Sequence, residues 1–271
     1  MNAESDIQVI PSSGPLGAEI KGLDLRHPLA DDAVQMVRHA LLAHCVIFFR
    51  QQEVSEEDQV RFTNYFGTAV EHVRRQPDRA VQEVFIVSNV KQNGRPIGAL
   101  GNAEISFHSD LSYLKRPGTF SFLYAVEVPR TGGDTQWCNC CAAYEALSDE
   151  MKDRLRDLRA VHRHYIEDQN PQELVDHPVV RTHPETGRKS IYVGPHLTKS
   201  IVGWDQAESQ LLLEELYEHL MQPRFIWTHQ WRVGDLVVWD NRPTMHRRRA
   251  FPDEQRRIMK RTQIFGEEVP E

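Results

Sequence analysis

The segment Ser106-Phe107-His108-Ser109-Asp110 sets an imidazole and a carboxylate two residues apart. In extended chain the side chains repeat every two residues, so His108 and Asp110 fall on one face and can pinch a single metal ion. A third ligand is offered further on. The apolar run Asp235 to Trp239 passes into Asp240-Asn241-Arg242-Pro243-Thr244-Met245-His246, a strand that ends in polar turn residues and then presents an imidazole at a barrel mouth. Together His108, Asp110 and His246 make a facial triad. Such a set covers one side of a metal and leaves three positions open, the arrangement of non-haem Fe(II) oxygenases. Singly, His108 reads as well as a loop-bonded group and His246 as a turn cap, so the chemistry rests on the set.

Two arginines past His246 make a separate demand. Arg257-Ile258-Met259-Lys260-Arg261 reads as a strand, which puts Arg257 and Arg261 on one face, about 13 Å apart at roughly 3.3 Å per residue. Guanidiniums on the inner face of a barrel strand are costly without an anionic partner. Arginine is also the natural fork for a carboxylate or sulfonate. Arg247, Arg248 and Arg249 read instead as a solvated turn. The cysteines Cys45, Cys138, Cys140 and Cys141 lack a repeated C-x-x-C pair and read as small buried thiols rather than a structural zinc site.

These groups need a scaffold, and the hydropathy pattern supplies one. Asp31 to Ala43 carries Val34, Val37, Leu41 and Leu42 on a helical stripe; Ser55-Glu56-Glu57-Asp58 opens a second helix as a capping box; Asp205 opens a third, with Leu212, Leu213, Leu216 and Leu220. Strands are expected at 44–50, 83–90, 119–128, 190–193, 235–239 and 257–265. In Thr119 to Val128 the large residues Phe120, Phe122, Tyr124, Val126 and Val128 share a face, with smaller or polar residues opposite. The strands do not alternate regularly with helices, which disfavours a doubly wound parallel sheet. A mainly-β sandwich or open barrel with helices packed outside fits better. Asn93 to Ala103 and Ile166 to Val180 read as segments that could cover a site.

The 271 residues hold 32 basic and 39 acidic side chains, a net charge of −7 that argues against a nucleic-acid-wrapping surface. No apolar run approaches the roughly 18 residues of a membrane span, and Met1 to Gly14 has no secretory pattern. No repeat or long linker interrupts the chain. The expectation is a single domain over 1–271, cytoplasmic, without nucleic-acid or membrane partners.

From about Leu16 to Gly266 the sequence resembles the TauD/TfdA group of Fe(II)- and 2-oxoglutarate-dependent dioxygenases. The resemblance is carried by Phe107-His108-Ser109-Asp110, by Gly132-Gly133-Asp134-Thr135-Gln136-Trp137, and by Trp239-Asp240-Asn241-Arg242 leading to His246. Arg257 and Arg261, eleven and fifteen residues past that histidine, also match, as do His183-Pro184-Glu185-Thr186-Gly187-Arg188 and Tyr192-Val193. It implies a double-stranded β-helix core, jelly-roll and cupin-like, with flanking α-helices. It implies that His108, Asp110 and His246 hold Fe(II), and that 2-oxoglutarate chelates the metal through its 1-carboxylate and 2-keto oxygen. Arg257 would clamp the distal carboxylate, with the Thr135 hydroxyl as second donor. O2 is the other co-substrate, and the products are succinate, CO2 and a hydroxylated or oxidatively cleaved substrate. Asp110 fills the position that related halogenases open for halide, so the chain reads as a hydroxylase.

For the primary substrate the resemblance implies a small anion. Arg261 matches the position that grips its acidic group, and His72, five residues after Gly67, matches a substrate-contacting histidine of the taurine enzymes. Phe107 stands where those enzymes carry tryptophan, and Glu104 where they carry a substrate-contacting asparagine. Met245-His246-Arg247 is closer to the phenoxyacetate branch. The expected substrate is therefore a carboxylate or sulfonate such as a phenoxyalkanoate-like acid, with a taurine or alkylsulfonate dioxygenase as the alternative. From other classes, a metal-dependent hydrolase and a non-catalytic anion-binding protein stay open. The Arg257 and Thr135 clamp counts against the hydrolase. The family also implies a homo-oligomer, a dimer or tetramer.

Overall fold

The computed structural model describes residues 7–76 and 79–271, so the first six residues of the Met1 to Gly14 stretch lie outside it. The stripe Val34, Val37 and Leu41 forms helix α1 (Asp31–His44), which stops at Cys45, whose left-handed φ of 64° lets its N–H bond the Leu41 carbonyl. Helix α2 (Glu56–Asn64) opens on a full capping box, with Ser55 and Asp58 each accepting the other's backbone N–H. Two short helices follow, α3 (Cys140–Glu145) and α4 (Asp149–Leu155). Helix α5 (Gln206–Leu220) begins where the Asp205 carboxylate accepts from Ala207 N–H.

Twelve strands among the described residues build two facing sheets. In chain order they are β1 (Gln8–Pro11), β2 (Ala18–Lys21), β3 (Val46–Phe49), β4 (Phe85–Ser88), β5 (Ala99–Leu100) and β6 (Ile105–His108). Then come β7 (Gly118–Glu127), β8 (Thr135–Asn139), β9 (Ile226–His229), β10 (Leu236–Asp240), β11 (Thr244–Arg248) and β12 (Ile258–Phe265). The large sheet runs β1-β2-β3-β10-β7-β12-β4-β5 and the small one β9-β8-β11-β6. From β6 onward the chain passes from small sheet to large and back: β6 small, β7 large, β8 and β9 small, β10 large, β11 small, β12 large. That winding is the double-stranded β-helix, or jelly roll.

Alternation along the strands sorts the core into layers. On the outer face of the large sheet, Phe49, Phe120, Phe122 and Val238 pack under α1 and α2 against Leu41 and Phe62. On its inner face Leu123, Ala125, Val237, Trp239 and Met259 meet Trp137 of the small sheet. The face of β7 expected to be merely small or polar is thus as buried as the aromatic one, because β7 is a central strand between β10 and β12 with helices on one side and the sandwich interior on the other. Residues 140–225, between β8 and β9, fold onto the outside of the small sheet. There Leu212, Leu213 and Leu216 of α5 cover Phe107, Cys138 and Met245. The turn into β8 needs glycine: Gly132 and Gly133 have φ of 74° and 70°, and a Cβ on Gly132 would meet the Ala250 carbonyl oxygen at 2.5 Å. No helix among the described residues is long and apolar enough to cross a membrane.

Candidate active site

The small sheet lines up two of the three proposed ligands. Trp137 on β8 pairs with His246 on β11, and His246 with His108 on β6, so all three side chains point side by side into the sandwich. Asp110 follows two residues after β6, where the strand turns. Its Oδ1 lies 3.5 Å from His108 Nε2 and 3.8 Å from His246 Nε2. One ligand atom from each residue falls within 4.8 Å of the others.

Surrounding bonds aim these atoms. His108 Nδ1 is 2.8 Å from the Ser106 carbonyl, so the proton sits on Nδ1 and the Nε2 lone pair faces the cluster. Asp110 Oδ2 accepts from Ser121 Oγ–H at 2.7 Å and is ion-paired with Arg261, which leaves Oδ1 for a metal. Asn241 ties the frame together: its Oδ1 accepts from Asp110 N–H and Trp239 Nε1–H, and its Nδ2–H donates to Ser121 Oγ. Burial opposes ionisation of Asp110, but Arg261 and then the two histidines outweigh it and hold the carboxyl well below the usual range. His246, enclosed by the Trp137 and Trp239 rings, is pushed down to about 3 by burial, against the pull of Asp110. A carboxylate held ionised, with the imidazoles of His108 and His246 beside it, is a donor set that fits a divalent cation.

Facing this cluster across the sandwich, Arg257 and Arg261 do share the inner face of the β12 segment. Arg257 is only 2% exposed, has no carboxylate partner among the described residues, and keeps a buried Nε without any hydrogen bond. Burial and the neighbouring Arg248 pull it down to about 9, so it is still a cation at neutral pH. Thr135 enters the same narrow cavity as Arg257, His108 and His246. Its Oγ accepts from Trp231 Nε1–H at 3.0 Å, which leaves its own O–H free to donate. A buried cation and a free hydroxyl facing a three-ligand cluster suit a molecule with a chelating end and a carboxylate end.

The other expected positions are distributed unevenly. His72 lines a larger outer cavity of about 400 Å³ beside His108, Asp110 and Arg261. It stacks on Phe85 with ring centroids 4.0 Å apart, and burial, followed by Arg261, pushes it down to about 3. Glu104 stands exposed at the edge of that cavity, 3.7 Å from Arg247. Phe107 is not brought into it. As the neighbour of His108 on a strand it must face the other way, and it is 1% exposed in the core beneath α5. Alternation also corrects the reading of the arginine run. Arg247 faces outward to Gln136, whereas Arg248 faces inward, buried, with its guanidinium on the carbonyls of Leu100, Gly101 and Ala103. Arg74, Tyr113, His164, Tyr165 and His196, none of them marked by the sequence pattern, also wall the outer cavity. Apart from the neighbours His164 and Tyr165 they come from separate loops with no shared spacing, so no local signal joins them. Of the two candidate covering segments, Asn93 to Ala103 reaches the cavity through Leu100 to Ala103, while Ile166 to Val180 folds against the strand Arg159–His162 through Val175–Pro178.

Two histidines and a carboxylate on one face of a jelly roll define a non-haem metal oxygenase of the facial-triad class. Comparison with known proteins agrees. Residues 8–263 match the family described as taurine catabolism dioxygenase TauD, TfdA. An alkylsulfatase of Acinetobacter baylyi is 34% identical, the alignment covering 98% of this chain and 87% of that one. An alpha-ketoglutarate-dependent 2,4-dichlorophenoxyacetate dioxygenase of Cupriavidus pinatubonensis is 35% identical over 93% of this chain and 95% of its own. The crystal structure of AAD-2 in complex with Mn(II) and N-oxalylglycine superimposes with a TM-score of 0.83 at 34% identity, covering 97% of this chain and 98% of that one. The chain belongs to the TauD/TfdA family and is an Fe(II)- and 2-oxoglutarate-dependent dioxygenase.

Proposed function

We propose that this dioxygenase oxidises a small organic acid, a carboxylate, sulfonate or sulfate ester of the phenoxyalkanoate or alkyl sulfate kind, releasing succinate and CO2. His108, Asp110 and His246 hold the iron, which when bound supplies the oxidising chemistry that couples decarboxylation of 2-oxoglutarate to attack on the substrate. Arg257 and the Thr135 hydroxyl take the distal carboxylate of 2-oxoglutarate. The observation that carries this reading is Arg257 itself, a buried cation that has no carboxylate partner among the described residues and faces the ligand cluster. A metal-dependent hydrolase would have no use for such a grip. His72 and Arg261 form the metal-side wall of the substrate cavity and Glu104 its mouth. Arg261, though, is already engaged by Asp110 and first serves to orient that ligand. Phe107 supports the site from behind.

The substrate class is supported by the relatives' substrates and by the arginines on the cavity wall. We further infer that residues 1–271 work as one unit, since β1 to β3 complete the sheet that β10, β7 and β12 build. Four buried free thiols suit a reducing, cytoplasmic setting, and a dimer or tetramer is the family expectation that light scattering checks. The test of the function is succinate formation from 2-oxoglutarate under air, with Fe(II), ascorbate and a panel of phenoxy acids, alkyl sulfates, taurine and other sulfonates. Iron-dependent succinate that rises with one of the acids and vanishes in a folded His108→Ala variant supports it. Succinate that rises only with taurine or another alkylsulfonate selects the alternative, and full activity in His108→Ala removes the ligand assignment.

A further inference from the structure

Asp110 lies beyond the end of β6, in a turn whose next residue, Leu111, has a φ of 58°. A left-handed leucine is strained and keeps that conformation only where its surroundings hold it. On the Asp110 side the jelly roll does the holding. Ser109 Oγ–H donates to the Thr244 carbonyl at 2.8 Å, Asp110 N–H to Asn241 Oδ1 at 3.2 Å, and Gly118 N–H to the Asp110 carbonyl at 3.2 Å. Beyond Leu111 the grip comes instead from the segment between β8 and β9. His177 Nε2 lies 2.9 Å from the Ser112 carbonyl and 3.1 Å from the Leu114 carbonyl. Both partners are acceptors, so the proton of this neutral ring sits on Nε2 and is shared between them. His162 adds a contact, with its Nδ1 3.1 Å from Ser112 Oγ. His177 is itself firmly seated. It is fully buried on the strand Val175–Pro178, pairs with Ala160, and has the His162 ring at 5.2 Å and the Tyr192 ring at 5.7 Å.

Resting on the assignment of His108, Asp110 and His246 as metal ligands, we propose that His177 is a positioning residue for the metal. Its Nε2–H pins the two carbonyls that follow Leu111 and thereby keeps the Asp110 carboxylate turned to the imidazoles. The chain between β8 and β9 then does more than cover the small sheet, because it supplies the second anchor of a metal ligand. Without that donor the turn is left with two carbonyls short of a partner. Leu111 is then free to relax toward negative φ, and Asp110 moves with it.

The test is the Mn(II) affinity of the full chain, measured by competition with a chromophoric chelator. The visible spectrum of the Co(II)-loaded protein reads the ligand geometry alongside it. His177→Met and His177→Gln have similar length, but only glutamine offers an N–H where the imidazole Nε2–H stood. Val175→Ala truncates a buried side chain of the same strand and removes no bond to the turn. His177→Met should bind Mn(II) about tenfold or more weakly, with an altered Co(II) spectrum, and His177→Gln within about threefold of the wild type. Val175→Ala should lower the urea midpoint yet bind Mn(II) as the wild type does. Unchanged Mn(II) affinity in His177→Met overturns the proposal. So does an equal loss in Val175→Ala, which would reduce the effect to general stability. Should His177→Met not fold, His177→Asn, whose amide is too short to reach the carbonyls, takes its place with the same two outcomes. A wild type that does not bind Mn(II), or an Asp110→Ala variant that binds it as tightly, removes the ligand assignment and this proposal with it. Binding lost in Asp110→Ala but kept in His177→Met removes the positioning role alone.

Discussion

At the scale of single residues, how the ligands are held matters as much as their identity. Asp110 is a useful ligand because Ser121 and Arg261 occupy its second oxygen and so turn the first toward the two imidazoles. Partners of this kind typically contribute 10- to 100-fold in metal affinity or activity. Ser121→Ala should therefore lower Mn(II) affinity by roughly tenfold, measured by competition with a chromophoric chelator. Unchanged affinity would make Ser121 a packing residue. Much of this was legible in advance. The two-residue spacing of His108 and Asp110 and the four-residue spacing of Arg257 and Arg261 are strand arithmetic, and arithmetic survives folding. The same rule, applied to Phe107 and Arg248, sends the first out of the cavity and the second into it. Arg248 was misread because three consecutive arginines look solvated, whereas the strand Thr244–Arg248 separates them by face.

At the scale of elements, helix α2 shows how local sequence positions distant chemistry. Its buried face sets Gln59 and Thr63 against Thr262 of β12, with Thr63 Oγ1 and Thr262 Oγ1 2.6 Å apart. The helix thus backs the strand that carries Arg261. Ser55→Ala removes one half of the capping box and should cost about 1 kcal/mol, read as a lower urea midpoint with an unchanged slope. No loss of stability would mean that tertiary packing alone fixes the helix start. The capping box and the three long helices were visible from the sequence because their signals are local. Apart from α5 and the strand expected at 190–193, the folded segment between β8 and β9 was not. Its strands pair across gaps, Arg159–His162 with Val175–Pro178 on one side and with Thr198–Ile201 on the other, and the rings that reach the cavity flank these strands.

At the scale of the whole molecule, buried neutral histidines set the acid limit of stability. His162 and His177 pack against each other behind the site, 5.2 Å apart, and burial first, then neighbouring positive charge, pushes them down to about 3 and about 4. Unfolded, both would titrate near the usual 6.5, so below that pH the unfolded chain binds more protons than the native one. Their contribution is intact above about pH 6.5 and is lost as pH falls toward 4, about 2 kcal/mol for each by pH 5. Carboxylates act in a lower window. Burial opposes ionisation of Asp240, but Arg242 and His183 outweigh it and keep it ionised, so its contribution is lost only below the ordinary carboxylate range near pH 4. Urea midpoints of the metal-free protein should therefore drop steeply between pH 6.5 and 5, and less so in His177→Gln. A midpoint flat across that interval contradicts neutral burial of the pair.

The central claim is a two-ended grip: a metal at His108, Asp110 and His246, and a carboxylate at Arg257. Anaerobic titration of 2-oxoglutarate into the Mn(II)-loaded protein, compared between wild type and Arg257→Ala, tests it most directly. Charge-assisted contacts contribute about 1.5–3 kcal/mol, so the variant should bind 2-oxoglutarate at least tenfold more weakly while holding Mn(II) as before. Equal affinity in the two proteins would contradict the claim and leave Arg257 a buried cation without a ligand.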